Sequence, residues 1–398
     1  MKKTMSIYLL IGAFILVGCS ILLNRIKKTG ISEENVAEGM VLYIGTYGES
    51  LYRYIYDQTD DTFTPLERGR INNPSFVALG TENIKDGIYD VYAVSESGDS
   101  SSVVSFADNI RMSRTGECRE IGADPCHLIF DFLSNTVMTA DYSGGSVSVF
   151  GVRDNGSVGN LLERIRFDGS GPVAGRQESS HIHQLTFMPV YKDAYGRDSV
   201  RYLLATDLGA DKIRVLKVVP GKDRWCSLLH CPEYDLHLAE GCGPRHIAFS
   251  SDGSFMYCLT ELSGELLVYS VSYDSVGRPL FEHKQTVLAD EKRAGGSADI
   301  HIHPSGKFIY TSHRLENDGI SIFSVASDGK VCKTGYCNTG KHPRNFVITP
   351  DGSKVLVACR DSRKVEVYEV DSKDGSLESA GSGLMLENDS PSCLVIAE

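Results

Sequence analysis

The chain has 398 residues, with 52 acidic and 40 basic side chains spread along it for a formal net charge of −12. That balance argues against nucleic acid as the main partner, because phosphate recognition needs a concentrated basic face. With 41% hydrophobic residues the chain can bury a large core, and a single continuous repeat argues for one domain where length alone allows two.

The chain opens on an export pattern. Lys2 and Lys3 precede an apolar run over residues 7–17, which ends Leu16-Val17-Gly18-Cys19. A small residue before a cysteine resembles the bacterial lipobox, so residues 1–19 are expected to be a lipoprotein signal peptide with Cys19 as the lipidated residue. An uncleaved membrane anchor is the alternative, but the stretch is short against the roughly 20 apolar residues of a spanning helix. Residues 20–38 read as a flexible tether. Residues 39–398 read as the folded domain, an exported lipoprotein facing the periplasm and touching the membrane only through its lipid.

The rest of the chain repeats a strand pair. Its clearest copies are residues 243–261, 298–314 and 342–360: a short alternating strand, a turn such as Asp252-Gly253 or Asp351-Gly352, and a second apolar strand with a polar end. Weaker copies place first strands near residues 74, 125 and 181. Outer strands follow at 146–152, 213–218, 265–271, 320–325 and 365–370, rich in β-branched and aromatic residues. A seventh unit is split between residues 391–398 and 41–46. Joining these two halves closes a ring and leaves no blade edge open. The pattern predicts an all-β, seven-bladed propeller of four-stranded antiparallel blades. A single tryptophan, Trp225, excludes the WD40 version.

Ten cysteines remain after Cys19. None has the spacing of a zinc site, and Cys126, Cys258, Cys359 and Cys393 read as small buried hydrophobes. Cys226 with Cys231 and Cys332 with Cys337 are within reach for pairing, but no disulfide is expected from sequence alone. No cofactor is required, and no metal, although His181 and His183 at alternate strand positions point the same way.

In a propeller the start of strand one and the end of strand two meet at one mouth of the central channel. The starts supply His181, His183, Arg245, His246, His342 and Arg344. The ends supply Glu96, Asp141, Asp207, Glu261, His313, Arg314 and Arg360. Converging histidines, arginines and acids at a concave site suit an anionic or ester-like small molecule. The alternative for each residue taken singly is a solvated loop or a blade staple.

Several segments are similar to the seven-bladed propeller lactonases, a family that includes bacterial propeller-type 6-phosphogluconolactonases and fungal carboxymuconate cyclases. They are Tyr43-Ile-Gly-Thr-Tyr47, Ser180-His-Ile-His183, Asp207-Leu-Gly-Ala-Asp211, Gly243-Pro-Arg-His246, Thr260-Glu-Leu262 and His342-Pro-Arg-Asn-Phe346. The resemblance implies a catalytic set of His181, His183, Arg245, Glu261 and Arg314. Asp207, His246, His313, His342 and Arg344 are expected to contact substrate. The family's usual Ser-Asn-Arg is Ser312-His313-Arg314 here.

The expected reaction is hydrolysis of a sugar lactone, an anionic one, carried out by a monomer or weak dimer. Glu261 or a neutral His183 would take the proton from water, Arg245 and Arg314 would hold negative charge, and His181 would protonate the leaving alcohol. Two alternatives stand beside it: a lyase or isomerase acting on a carboxylated lactone, and a propeller that only binds a ligand or partner. No Gly-x-Ser-x-Gly elbow points to a serine esterase.

Overall fold

The computed structural model describes residues 39–83, 88–108, 111–192, 198–222 and 224–397. The lipobox, Cys19 and the tether lie outside the described residues. Seven antiparallel sheets follow one another, with first strands Val77–Asn83, Pro125–Asp131, Ile182–Phe187, Pro244–Phe249, Ser297–Ile302, Pro343–Ile348 and Ser390–Ala397. We number the blades one to seven in that order. Successive first strands touch around a ring that closes where Ser390–Ala397 meets Val77–Asn83. Short extra strands enlarge blades three and seven beyond four.

The ring closes as the split repeat predicts. Met40–Tyr47 pairs with Ser390–Ala397, from Val41 opposite Ala397 to Tyr47 opposite Ser390. The core lies between blades, where strand alternation turns apolar side chains toward the neighbouring sheet. Tyr257, Leu259 and Leu266 of blade four pack with Ile300, Ile309 and Phe323 of blade five, all nearly free of solvent. Burying each such side chain is worth about 2 kcal/mol.

The turns between strands one and two lie at the end away from the mouth. Gly253 and Gly352 adopt left-handed φ of 73° and 76° there, which an L side chain would resist. All ten described cysteines are free, and Cys126, Cys258, Cys359 and Cys393 are buried.

One feature of the ladder has no sequence signature. In six blades strand one carries a bulge near its start. Pro244 pairs with Thr260 and His246 with Leu259, leaving Arg245 out of the ladder. Cys126, His183, Arg344 and Ser392 are left out in the same way, and blade five slips by one residue between Ser297 and Ile300. A bulge re-aims the unpaired residue. Here it turns one side chain per blade up toward the mouth, and leaves the next to line the channel.

Candidate active site

Strand two reaches the mouth with its own alternation. At or next to the end of its pairing with strand one stand Thr46, Asp141, Asp207, Thr260, His313 and Cys359. These turn into their own blades. The next residues along are Tyr47, Tyr142, Leu208, Glu261, Arg314 and Arg360, which take the opposite direction.

This alternation corrects two of the expected substrate contacts. The Asp207 carboxylate is fully buried and accepts hydrogen bonds from Ser180, the Ala210 amide and Arg214. It also accepts the His181 amide at 2.9 Å, so it acts on the site through that backbone and not through substrate. His313 is likewise buried, with its ring nitrogens on the Ser297 and Thr311 hydroxyls at 2.9 Å each. Asp141 belongs with them, holding the hydroxyls of Thr139, Ser146 and Ser148.

Glu261 stands at the centre of the mouth. Its carboxylate accepts Arg245 Nε at 2.9 Å, Arg176 Nη2 at 2.8 Å and Arg314 Nη2 at 3.1 Å, and His183 Nε2 lies 3.9 Å away. Burial alone would raise this carboxyl, but Arg314, Arg245 and Arg176 outweigh it and hold the pKa at about 2. A group held so firmly as an anion is a poor base at neutral pH. That corrects the expectation that Glu261 takes the proton.

One carboxylate cannot neutralise three guanidiniums. Burial lowers Arg245 and brings Arg314 down to about 9, with Glu261 offsetting only part of the cost. Arg176, by contrast, is raised by the same carboxylate, because it is a third exposed and keeps some hydration. It lies on the 167–181 loop between blades two and three, in no strand register, and the repeat gave no hint of it.

Arg344 completes the basic surplus. It sits over the Tyr47 ring, 5.3 Å from its centroid, and makes no hydrogen bond or ion pair among the described residues. Tyr47 in turn donates to Glu96 at 2.9 Å. The charge of Arg344 acts on Arg245, Arg314 and His183, so it belongs to the same mouth.

The two histidines of Ser180-His-Ile-His183 differ. His183 is buried and neutral, its pKa pushed well below 6.5 by desolvation and then by Arg245 and His246. Its Nδ1 is buried with no hydrogen-bond partner among the described residues. His181 is half-buried and stacks flat on Tyr142 at 4.4 Å, with Nδ1 2.9 Å from the Tyr142 carbonyl oxygen. A carbonyl only accepts, so Nδ1 carries the proton and Nε2 is left as a bare acceptor. His181 therefore has the base form in its neutral state, not the acid form expected for it. Tyr142 also meets His183 edge-on at 5.6 Å, tying both rings to one support.

His246 and His342 lie behind the arginines. Arg245 Nη1 is 3.2 Å from His246 Nε2, and Arg314 Nη1 is 3.2 Å from His342 Nε2. Both histidines are buried, so the structure makes them supports and not surface contacts. Among the described residues no group of three metal-ligating side chains is gathered. The mouth thus combines an oriented imidazole lone pair, a fixed fork of guanidinium donors and a spare cation. Such a set can activate water, stabilise an oxyanion and hold an anionic group.

Comparison with known proteins agrees with this chemistry. Residues 41–396 match the family described as lactonase, 7-bladed beta-propeller. A 6-phosphogluconolactonase of Formosa agariphila is 32% identical over 289 residues, covering 72% of this chain and 77% of that protein. A candidate 6-phosphogluconolactonase from Bacteroides fragilis superposes with TM-score 0.80 at 34% identity, over 91% of this chain and 98% of its own. The periplasmic gluconolactonase of Pseudomonas aeruginosa superposes with TM-score 0.76 at 25% identity, over 91% and 99%. The chain belongs to the seven-bladed β-propeller lactonase family.

Proposed function

We propose that the protein hydrolyses the ester ring of an anionic sugar lactone, of the 6-phosphogluconolactone type, at the mouth of its channel. One observation carries the reading: three guanidiniums share Glu261 while Arg344 makes no ion pair among the described residues, on a protein of net charge −12. A local basic surplus on an acidic molecule suits an anionic ligand.

In this mechanism His181 Nε2 takes a proton from water as the oxygen attacks the lactone carbonyl. The proton then passes to the ring oxygen as the acyl bond breaks, giving an open-chain hydroxy acid. Arg245 and Arg314 face the oxyanion, and Glu261 holds their forks in place. Arg344 binds the anionic group. The names of the Formosa agariphila and Pseudomonas aeruginosa relatives support both halves of this reading, phosphorylated and unphosphorylated.

Substrate choice is the test. Losing one charge-assisted contact costs about 1.5–3 kcal/mol, so Arg344→Ala should raise KM for 6-phosphogluconolactone by ~10-fold or more. KM for the unphosphorylated gluconolactone should change by less than about twofold. Equal effects on both lactones would rule out Arg344 as the anion anchor, and no turnover of either by the unaltered protein would rule out the reaction.

We also propose an exported, lipid-anchored location, supported by Lys2, Lys3 and the run ending at Cys19. Met40–Tyr47 is the second strand of its blade and starts at the face away from the mouth.

A further inference from the structure

Below the mouth, the residue after each of the six bulges, from His127 and His246 to Asp299 and Asn345, borders one cavity of about 330 Å³ together with Phe76 of blade one. Asp299 is the only carboxylate in that ring. It is 3% exposed, and its two oxygens are fully engaged. Oδ1 faces His246 Nδ1 at 2.7 Å and the Ile300 amide at 3.0 Å. Oδ2 faces His301 Nε2 at 3.0 Å, Asn345 Nδ2 and the Phe346 amide.

The polarity of this chain of bonds is fixed by chemistry. A guanidinium can only donate, so His246 Nε2, 3.2 Å from Arg245 Nη1, must accept. Its proton is then on Nδ1 and points at Asp299. Arg245 Nη1 also donates to the Ala298 carbonyl, and Nε to Glu261. Three fixed acceptors therefore set the plane of the fork, and Nη2 has no partner among the described residues.

We infer that Asp299 and His246 are a positioning pair that locks the Arg245 guanidinium at the orientation the reaction uses. The inference rests on the lactonase reading for its kinetic consequence and on geometry for the rest. Asp299 selects the histidine tautomer, the tautomer presents a lone pair to Nη1, and that bond turns Nη2 toward the mouth. The opposite tautomer would set N–H against N–H and swing the fork away.

The same device recurs one blade pair on. Arg314 Nη1 donates to His342 Nε2 at 3.2 Å, and His342 Nδ1 is 3.4 Å from Asp361. His342 holds a left-handed φ of 60°, where blade four has Gly243 at 60°. A histidine kept where glycine is the unstrained choice fits a side chain with a task.

The experiment is a double-mutant cycle with a spectroscopic control. Asp299→Asn is isosteric but presents an amide N–H to one side, so it cannot satisfy both sets of donors. It should lower kcat by ~10- to 100-fold, the scale on which outer-shell partners act, with KM nearly unchanged. In an Arg245→Lys background, which has no fork to orient, the same change should cost less than about twofold. An equal loss in both backgrounds would make Asp299 merely structural and overturn the inference.

On the unaltered protein, 15N-histidine spectra should show His246 protonated on Nδ1, its signal identified by its absence in His246→Gln. Protonation on Nε2 would overturn the inference even if the Asp299 variant failed to fold. If the unaltered protein turned over no lactone, the reaction assignment would fall while the tautomer measurement still decided the pairing.

Discussion

Glu261→Gln removes the one negative charge that three arginines share while keeping the side chain's shape. The bonds to Arg176, Arg245 and Arg314 measure 2.8, 2.9 and 3.1 Å, and the carboxylate side chain is 7% exposed. Its pKa falls from the ordinary 4.5 to about 2, which is about 3 kcal/mol of preference for the anion in the folded state. A neutral amide forfeits that preference, in line with the cost of about 3–5 kcal/mol for breaking a buried ion pair by removing one partner. Unfolding entropy of about 2 cal/mol/K per residue then predicts a fall in Tm of about 4 °C for a chain of this size at pH 7. The sign with pH follows from the depressed carboxyl. Its stabilisation is complete above about pH 4.5 and is lost as pH drops toward 2, so the gap between the two proteins should narrow over that window. Differential scanning calorimetry of both proteins from pH 7 down to pH 3 reads this directly. An unchanged or higher Tm for Glu261→Gln at pH 7 would refute the idea that the carboxylate holds the cluster together.

Other consequences are equally accessible. A Cβ at Gly209 would meet the Ser179 carbonyl oxygen and lie 2.9 Å from His181 Cδ2, so Gly209→Ala should displace the base. Its kcat on the preferred lactone should drop ~10-fold or more, with loss of His181 positioning as the cause, and unchanged turnover would remove His181 from the mechanism. Burial, then Arg245, depresses His246 to about 4, and burial depresses His313 to about 3, both against an ordinary 6.5. The unfolded chain gains these protons first, so stability is greatest above pH 6.5 and falls as pH drops toward 4. For the two histidines together, denaturant titration should find about 4 kcal/mol less stability at pH 5 than at pH 7.

Much of the site was legible because a propeller turns repeat position into spatial position. Arg245 and Glu261 lie sixteen residues apart in sequence, yet the hairpin brings them to a 2.9 Å bond. What misled was a single step of strand alternation. His313 and Arg314 are neighbours, but the first staples its blade, as Asp207 does in its own, and only the second reaches the mouth. Putting Glu261, Arg314 and Arg360 in one column would have drawn Tyr47, Glu96 and Tyr142 in beside them. The bulges were a deeper gap. They depend on where ladder bonds break, which no residue type at Cys126, His183, Arg245, Arg344 or Ser392 announces. Arg176 had no register to be found by, since a loop position becomes functional only through what it touches.

The bulge and the alternation together explain why this scaffold can hold so much like charge. Arg245 and Arg344 are lifted by bulges, and Arg314 is delivered by strand two, so all three leave rigid strand ends and not mobile loops. Mutual repulsion among buried cations would scatter side chains on flexible segments. Here the backbone cost is carried by ladders packed between blades, and only the guanidiniums respond. Two of them are fixed by acceptors that carry no charge, His246 and His342, and by one that does, Glu261. Neutral acceptors orient an arginine without cancelling it. A second carboxylate in place of either histidine would hold the fork as well but would spend the positive charge that an anionic substrate needs.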